Sequence, residues 1–184
     1  MFFSSMTDVG CRKVDALDRP DDLSRWIVVP VVPGEIALYF ALLNSDTGPF
    51  GMIISALTQS SVVHVETRID VETSDEWQFA ESRLGLKYDF EGALRAWNDS
   101  GYHTQGKEFC SGLAYEILNP IIPGLQAYPC PGRLLMQVAS ILGMTMPKMS
   151  APAEVSEDDL DWLMNLPTDQ VATGTKQEIM AVLA

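Results

Sequence analysis

The stretch Glu108-Phe109-Cys110-Ser111-Gly112-Leu113-Ala114-Tyr115 carries a cysteine from a polar loop into the first turn of an apolar helix. The first N–H groups of a helix lack intrahelical partners, and with the helix dipole they stabilise negative charge. A thiol placed there has its pKa lowered, and the thiolate is the nucleophilic form. The backbone N–H of Cys110 would also point to where a tetrahedral oxyanion develops. Against this stands the commoner fate of a lone cysteine, which is to pack in a core as a small apolar residue.

A cysteine nucleophile needs a base, and the chain has two histidines, His64 and His103. His64 lies in Val62–Asp70, where Val63, Val65, Thr67 and Ile69 alternate with His64, Glu66, Arg68 and Asp70. That period of two predicts a half-buried strand with His64 and Glu66 on its polar face. A carboxylate beside an imidazole can fix its tautomer, as a Cys–His pair requires. A surface histidine merely paired with Glu66 fits the same pattern. His103 sits in the Gly/Ser/Asn loop 98–107 and reads as a solvated loop histidine.

Several elements must position these groups. Residues 1–25 read as an irregular lead-in, with Asp18, Pro20, Asp21 and Asp22 marking a turn. Trp26–Val32 and Ile36–Leu43, rich in Val, Ile and Tyr and parted by Pro33-Gly34, predict two buried strands. Pro49 opens a short helix over Phe50–Thr58. Asp75–Leu84 predicts a helix with Trp77, Ala80 and Leu84 on one stripe and Gly85 as its stop. Tyr88–Trp97, Phe109–Leu118 and Arg133–Leu142 predict further helices. Met136, Met144, Met146 and Met149 read as core filling. Past a Pro/Met/Ala linker over Met144–Ala153, Ser156 caps an acidic helix through Trp162 and Leu163. Residues 151–184 hold seven acids against Lys176, a charge of −6 out of −13. They read as an appended tail that docks on the domain or meets a partner.

The 184 residues, 47% hydrophobic and 20% charged, suit one globular domain, assigned to 26–143 between the lead-in and the 144–184 tail. A net charge of −13 speaks against nucleic acid and anionic membranes, since no basic stripe exists to displace counterions from phosphates. Cys11, Cys110 and Cys130 form no CxxC pair, which disfavours a zinc or disulfide scaffold. The longest apolar runs are too short to span a bilayer. The N-terminus lacks the features of a secretory signal, so the expectation is synthesis in a (host) cytoplasm without a leader.

Four blocks carry a resemblance. Glu35-Ile-Ala-Leu-Tyr-Phe40, Ser60-Ser-Val-Val-His64-Val-Glu66, Leu84-Gly-Leu-Lys-Tyr88-Asp89-Phe-Glu-Gly92 and Phe109-Cys110-Ser111-Gly-Leu113 resemble the permuted NlpC-type, YiiX-like, papain-like cysteine hydrolases of bacteria and bacteriophages. No histidine follows Cys110, so only the permuted order, histidine strand before cysteine helix, applies. The resemblance covers about residues 34–142. It implies an α+β fold, with a small antiparallel sheet packed on helices in circularly permuted order and an acidic helical C-terminal appendage.

The activity implied is cleavage of an amide bond in peptidoglycan stem peptides, with no metal or organic cofactor. Cys110 would be the nucleophile and His64 the base. The orienting group would be Glu66, with Glu81 as the alternative, and Tyr88 would contact the substrate or oxyanion. Relatives place one or two more strands between the histidine strand and the Leu-Gly-x-Lys-Tyr-Asp block. Only Thr67–Arg83 lies there in this chain, which predicts a shortened sheet. A second reading of another class follows: a phage structural or tail-associated module, virion-borne, that keeps the fold for binding and meets other virion proteins through its acidic tail.

Overall fold

A computed structural model of the chain describes residues 1–15 and 25–184; the turn expected around Asp18 to Asp22 lies outside the described residues. Five antiparallel strands, β1 (Phe2–Met6), β2 (Gly10–Val14), β3 (Trp26–Val32), β4 (Ile36–Leu42) and β5 (Val62–Ile69), form one sheet in the order β2-β1-β5-β4-β3. Helices α1 (Pro49–Thr58), α2 (Asp75–Ser82), α3 (Phe90–Arg95), α4 (Cys110–Leu118), α5 (Pro131–Ile141), α6 (Glu157–Asn165) and α7 (Thr173–Leu183) complete the main elements. A parallel bridge joins β6 (Lys87–Tyr88) to β7 (Lys107–Glu108). The architecture is α+β.

The strands form where branched and aromatic residues cluster, and β3 and β4 turn through Gly34 at φ +78°. The alternating segment becomes β5, the central strand, paired with β4 from Ile36↔Ile69 to Leu42↔Val62. Its polar face is not simply solvated, because Glu66 on it is fully buried.

The N-terminal lead-in is a correction. Phe2–Met6 and Gly10–Val14 form a hairpin, and β1 also pairs with β5 through Phe2↔Arg68 and Phe3↔Thr67. Phe3 packs edge-on to Trp77, with ring centroids 5.1 Å apart, which buries a residue the local sequence leaves ambiguous. Two of the five strands, β1 and β2, therefore come from the start of the chain, and β1 lies beside β5.

Three smaller expectations also change. Tyr88 is not helical; it lies in β6, and helix α3 begins after Asp89, whose carboxylate accepts the Gly92 N–H at 2.9 Å. Leu84 lies beyond α2 and is exposed, so only Trp77 and Ala80 of the predicted stripe are buried. Met136 and Met144 are exposed, whereas Met146 and Met149 pack against the core.

Two large apolar clusters stand out among the described residues. One joins the sheet to α2, α4 and α5 around Leu38, Phe40, Val65, Leu113 and Leu134. The other joins α1, α3, α6 and α7 around Ile53, Leu94, Leu163 and Ile179. Residues 144–184 thus pack onto the rest of the chain. Ser156 caps α6 through a capping box with Asp159. Buried Lys176 donates to the carbonyls of Met164 and Leu166 at the end of that helix. Glu91 of α3 accepts the Ala172 N–H at 2.9 Å and the Thr175 hydroxyl, tying down α7.

Candidate active site

The groups expected to work together come from three places in the chain. Cys110 is the first residue of α4, with Phe109 as an extended N-cap. His64 lies on β5, against which α4 packs. Tyr88 is brought in by the β6–β7 bridge, where it pairs with Glu108, two residues before the cysteine. Cys110 belongs to the sheet cluster and Tyr88 to the helical one, so the site sits on the seam between the two cores.

The Cys110 thiol interacts with the His64 imidazole, and it borders one small void with Tyr88. Burial by itself pushes the thiol up. The His64 charge, its hydrogen bond and the backbone hydrogen bonds of Val65 and Ser111 outweigh burial, and the thiol lies below its ordinary value of 9.0. Burial likewise works against the charged imidazole. The charge and hydrogen bond of Cys110, with the neighbouring Glu66 carboxylate, overcome it and raise His64 to about 10. Both directions favour a thiolate–imidazolium pair, the form in which a cysteine attacks an acyl carbon. Burial, followed by the Cys110 charge, holds the Tyr88 phenol well above its usual range, so it keeps its proton and can donate it in a hydrogen bond.

The orienting carboxylates fare differently. Glu66 Oε1 lies 3.6 Å from His64 Nε2, beyond hydrogen-bond distance, and neither carboxylate oxygen has a hydrogen-bond partner among the described residues. The nearer contact of Nε2 is the Ser4 hydroxyl at 3.1 Å, from the strand expected to be an irregular lead-in. Glu81 is not available: it sits on the surface in an ion pair with Lys13 at 2.5 Å.

His103 is another correction. It is not a solvated loop residue: its Nε2 lies 2.7 Å from the Lys107 carbonyl oxygen, and its ring stacks on Tyr128 at 4.5 Å and 3°. It also lies 3.6 Å from the fully buried Glu108 carboxylate. Burial, then the charge of Glu116, pushes that carboxyl up to about 9. Glu108 lies along α4, where a Cβ on Gly112 would run into its Oε1, and that oxygen accepts the Phe109 N–H at 3.1 Å.

A cavity of about 460 Å³ opens beside the dyad, walled by Ser5, Trp26, Phe50, Glu66 and Trp162 together with His64 and Tyr88. Cys110 does not line it. The thiol, 5% exposed, borders a separate void of about 10 Å³ with Ser111 and Tyr88. His64, which interacts with the thiol, and Tyr88, which shares its void, both stand at the larger cavity. Trp162 reaches that cavity from the acidic segment, 5.9 Å from the Phe50 ring.

No family model, no curated protein and no solved structure matches this chain. Among the described residues, no helix is long and apolar enough to cross a membrane.

Sequence reasoning missed two contributors. Ser4 sits in Phe2-Phe-Ser-Ser-Met6, too short and mixed a run to read as a strand. The usable signal was the three-residue gap before Gly10, which takes φ +70° at the close of a hairpin. Trp162 belongs by sequence to the acidic C-terminal segment, and no local pattern relates it to His64.

Proposed function

We propose that this protein is a cysteine hydrolase that cleaves an amide bond, with peptidoglycan stem peptides as the substrate class. The observation that carries the reading is the Cys110–His64 pair: a buried thiol at the start of a helix packed on the histidine strand, lowered in pKa by an imidazole that is itself raised to about 10. The resemblance of the four sequence blocks to permuted NlpC-type hydrolases supplies the substrate class and the papain-like, circularly permuted description of the fold.

In this mechanism the Cys110 thiolate attacks the carbonyl carbon, and its oxygen takes the negative charge. Backbone N–H groups of the first α4 turn and the Tyr88 hydroxyl donate to that oxyanion. The His64 imidazolium gives its proton to the leaving amine as the C–N bond breaks, leaving a thioester. His64, now neutral, takes a proton from water, the hydroxide adds to the thioester, and the acid departs as the thiolate is restored. The chemistry calls for no metal or organic cofactor.

The test is hydrolysis of defined muropeptides, followed by mass spectrometry, in wild type, Cys110→Ala and Cys110→Ser. Turnover lost in both variants with the fold retained is the expected result. Turnover surviving both would end the mechanism.

One observation favours a second reading. The thiol is covered and does not line the large cavity, as suits a phage structural or tail-associated module that binds through this cavity without hydrolysis. Its acidic segment would then meet other virion proteins. Mass spectrometry of purified particles lacking the protein would remove that reading.

A further inference from the structure

We propose that Ser4 is a positioning residue of the dyad: its hydroxyl, delivered by the N-terminal hairpin, holds Nε2 of His64 and so decides which ring nitrogen faces Cys110. The inference rests on the Cys110–His64 reading above. Ser4 is buried, and its Oγ is 3.1 Å from Nε2, inside hydrogen-bond range, whereas Glu66 Oε1 is outside it at 3.6 Å. In this proposal Ser4 engages Nε2 and the other ring nitrogen, Nδ1, serves the thiol. A neutral imidazole carries one proton, and a hydroxyl accepting from Nε2–H keeps the Nδ1 lone pair free to take the thiol proton. Once His64 is charged, both nitrogens donate, and the same Ser4 oxygen still accepts.

The placement is rigid for a physical reason. Ser4 is paired with Arg12 inside the hairpin, and the residue before it, Phe3, is paired with Thr67 of β5. The next residue, Ser5, also buried, donates its hydroxyl to the Glu108 carbonyl oxygen at 2.8 Å, two residues before Cys110. Successive side chains leave a strand in opposite directions, so one dipeptide of β1 touches both the histidine strand and the cysteine segment. Truncating β1 would loosen both partners at once.

Thr and Val have the same shape and both suit a strand, but only Thr has the hydroxyl. The experiment is therefore the pH dependence of iodoacetamide alkylation at Cys110 in wild type, Ser4→Thr, Ser4→Val, Ser4→Ala and His64→Ala. Peptide mass spectrometry separates Cys110 from Cys11 and Cys130, and thermal midpoints monitor folding.

The expected result is that Val and Ala move the alkylation midpoint toward the ordinary thiol value of 9.0, while Thr keeps it near wild type. Labelling below the midpoint then falls roughly tenfold for each unit of movement. If Val and Ala label like wild type while His64→Ala shifts, Ser4 has no positioning role and the dyad stands. If Thr shifts as far as Val, the residue is only structural and the proposal is overturned. If His64→Ala itself leaves the profile unchanged, the dyad reading fails, and with it this one.

Discussion

Tyr88 pairs with Glu108 in a parallel bridge two residues long, and that pairing sets it at one small void with Cys110, two positions further on. The pairing explains why a tyrosine that reads as helical is held extended. It also leaves a phenol that keeps its proton beside the sulfur, where on the proposed mechanism it would donate to the developing negative charge.

Tyr88→Phe removes that donor and little else, since the ring keeps its edge contacts with Phe50 and Phe90 at 5.7 and 4.9 Å. Muropeptide turnover is expected to fall by about 10²–10³-fold, the range for losing one oxyanion donor, with the thermal midpoint nearly unchanged. Unaltered kcat would mean that the hydroxyl only packs.

On the hydrolase reading proposed above, the dyad would set the pH window for catalysis. The thiolate forms below the ordinary thiol value of 9.0, and the imidazolium needed to protonate the leaving amine survives to about 10. A bell-shaped kcat/KM profile is expected, its alkaline limb near 10. Glu66→Gln removes a carboxylate that helps hold the imidazolium, so the alkaline limb should move to lower pH by about one unit. A limb that stays in place would deny Glu66 any electrostatic part.

Glu108 predicts a stability effect of opposite pH sense. Its carboxyl is raised from an ordinary 4.5 to about 9, so between these values the folded chain holds a proton that the unfolded chain has lost. Stability therefore falls as pH rises through that window. Glu108→Gln keeps an acceptor for the Phe109 N–H and has nothing to ionise. It should be more stable than wild type at pH 8 by on the order of 1–3 kcal/mol, with the gain shrinking toward pH 4. Urea unfolding at several pH values reads this directly, and a gain independent of pH would contradict it.

Gly112→Ala tests the cradle beneath that carboxyl. Helix propensity alone would make alanine about 1 kcal/mol more stable. A Cβ there would meet Glu108 Oε1 and the Phe109 ring, so a net loss of about 1–3 kcal/mol is expected instead. A stabilised variant would show that Glu108 lies elsewhere in solution.

Residues 144–184 should behave as part of the fold. Leu163, Val171 and Ile179 are fully buried with Ile53 and Leu94. Leu163→Ala is expected to cost about 2–5 kcal/mol, and removal of the segment should cost cooperative folding of the α1–α3 cluster. Calorimetry of the truncated chain showing an unchanged midpoint would make the segment a true appendage.

Much was legible in the sequence where the signal is local. The alternation over Val62–Ile69, the β3 and β4 runs, Pro49 opening α1 and Ser156 capping α6 all depend on neighbours within a few residues, so they survive in the structure. The same holds for a cysteine at a helix start and a histidine on a strand. Tertiary structure decided what faces them. Ser4 reaches His64 across 60 positions because β1 is inserted beside β5. Tyr88 reaches Cys110 through a bridge too short to leave a period in the sequence. Glu66 and Glu81 look alike as candidates on paper, yet one is buried on the central strand and the other pairs with Lys13 at the surface. Strand order, side-chain burial and distance between remote segments arise only when the chain closes on itself, and local propensity carries no record of them.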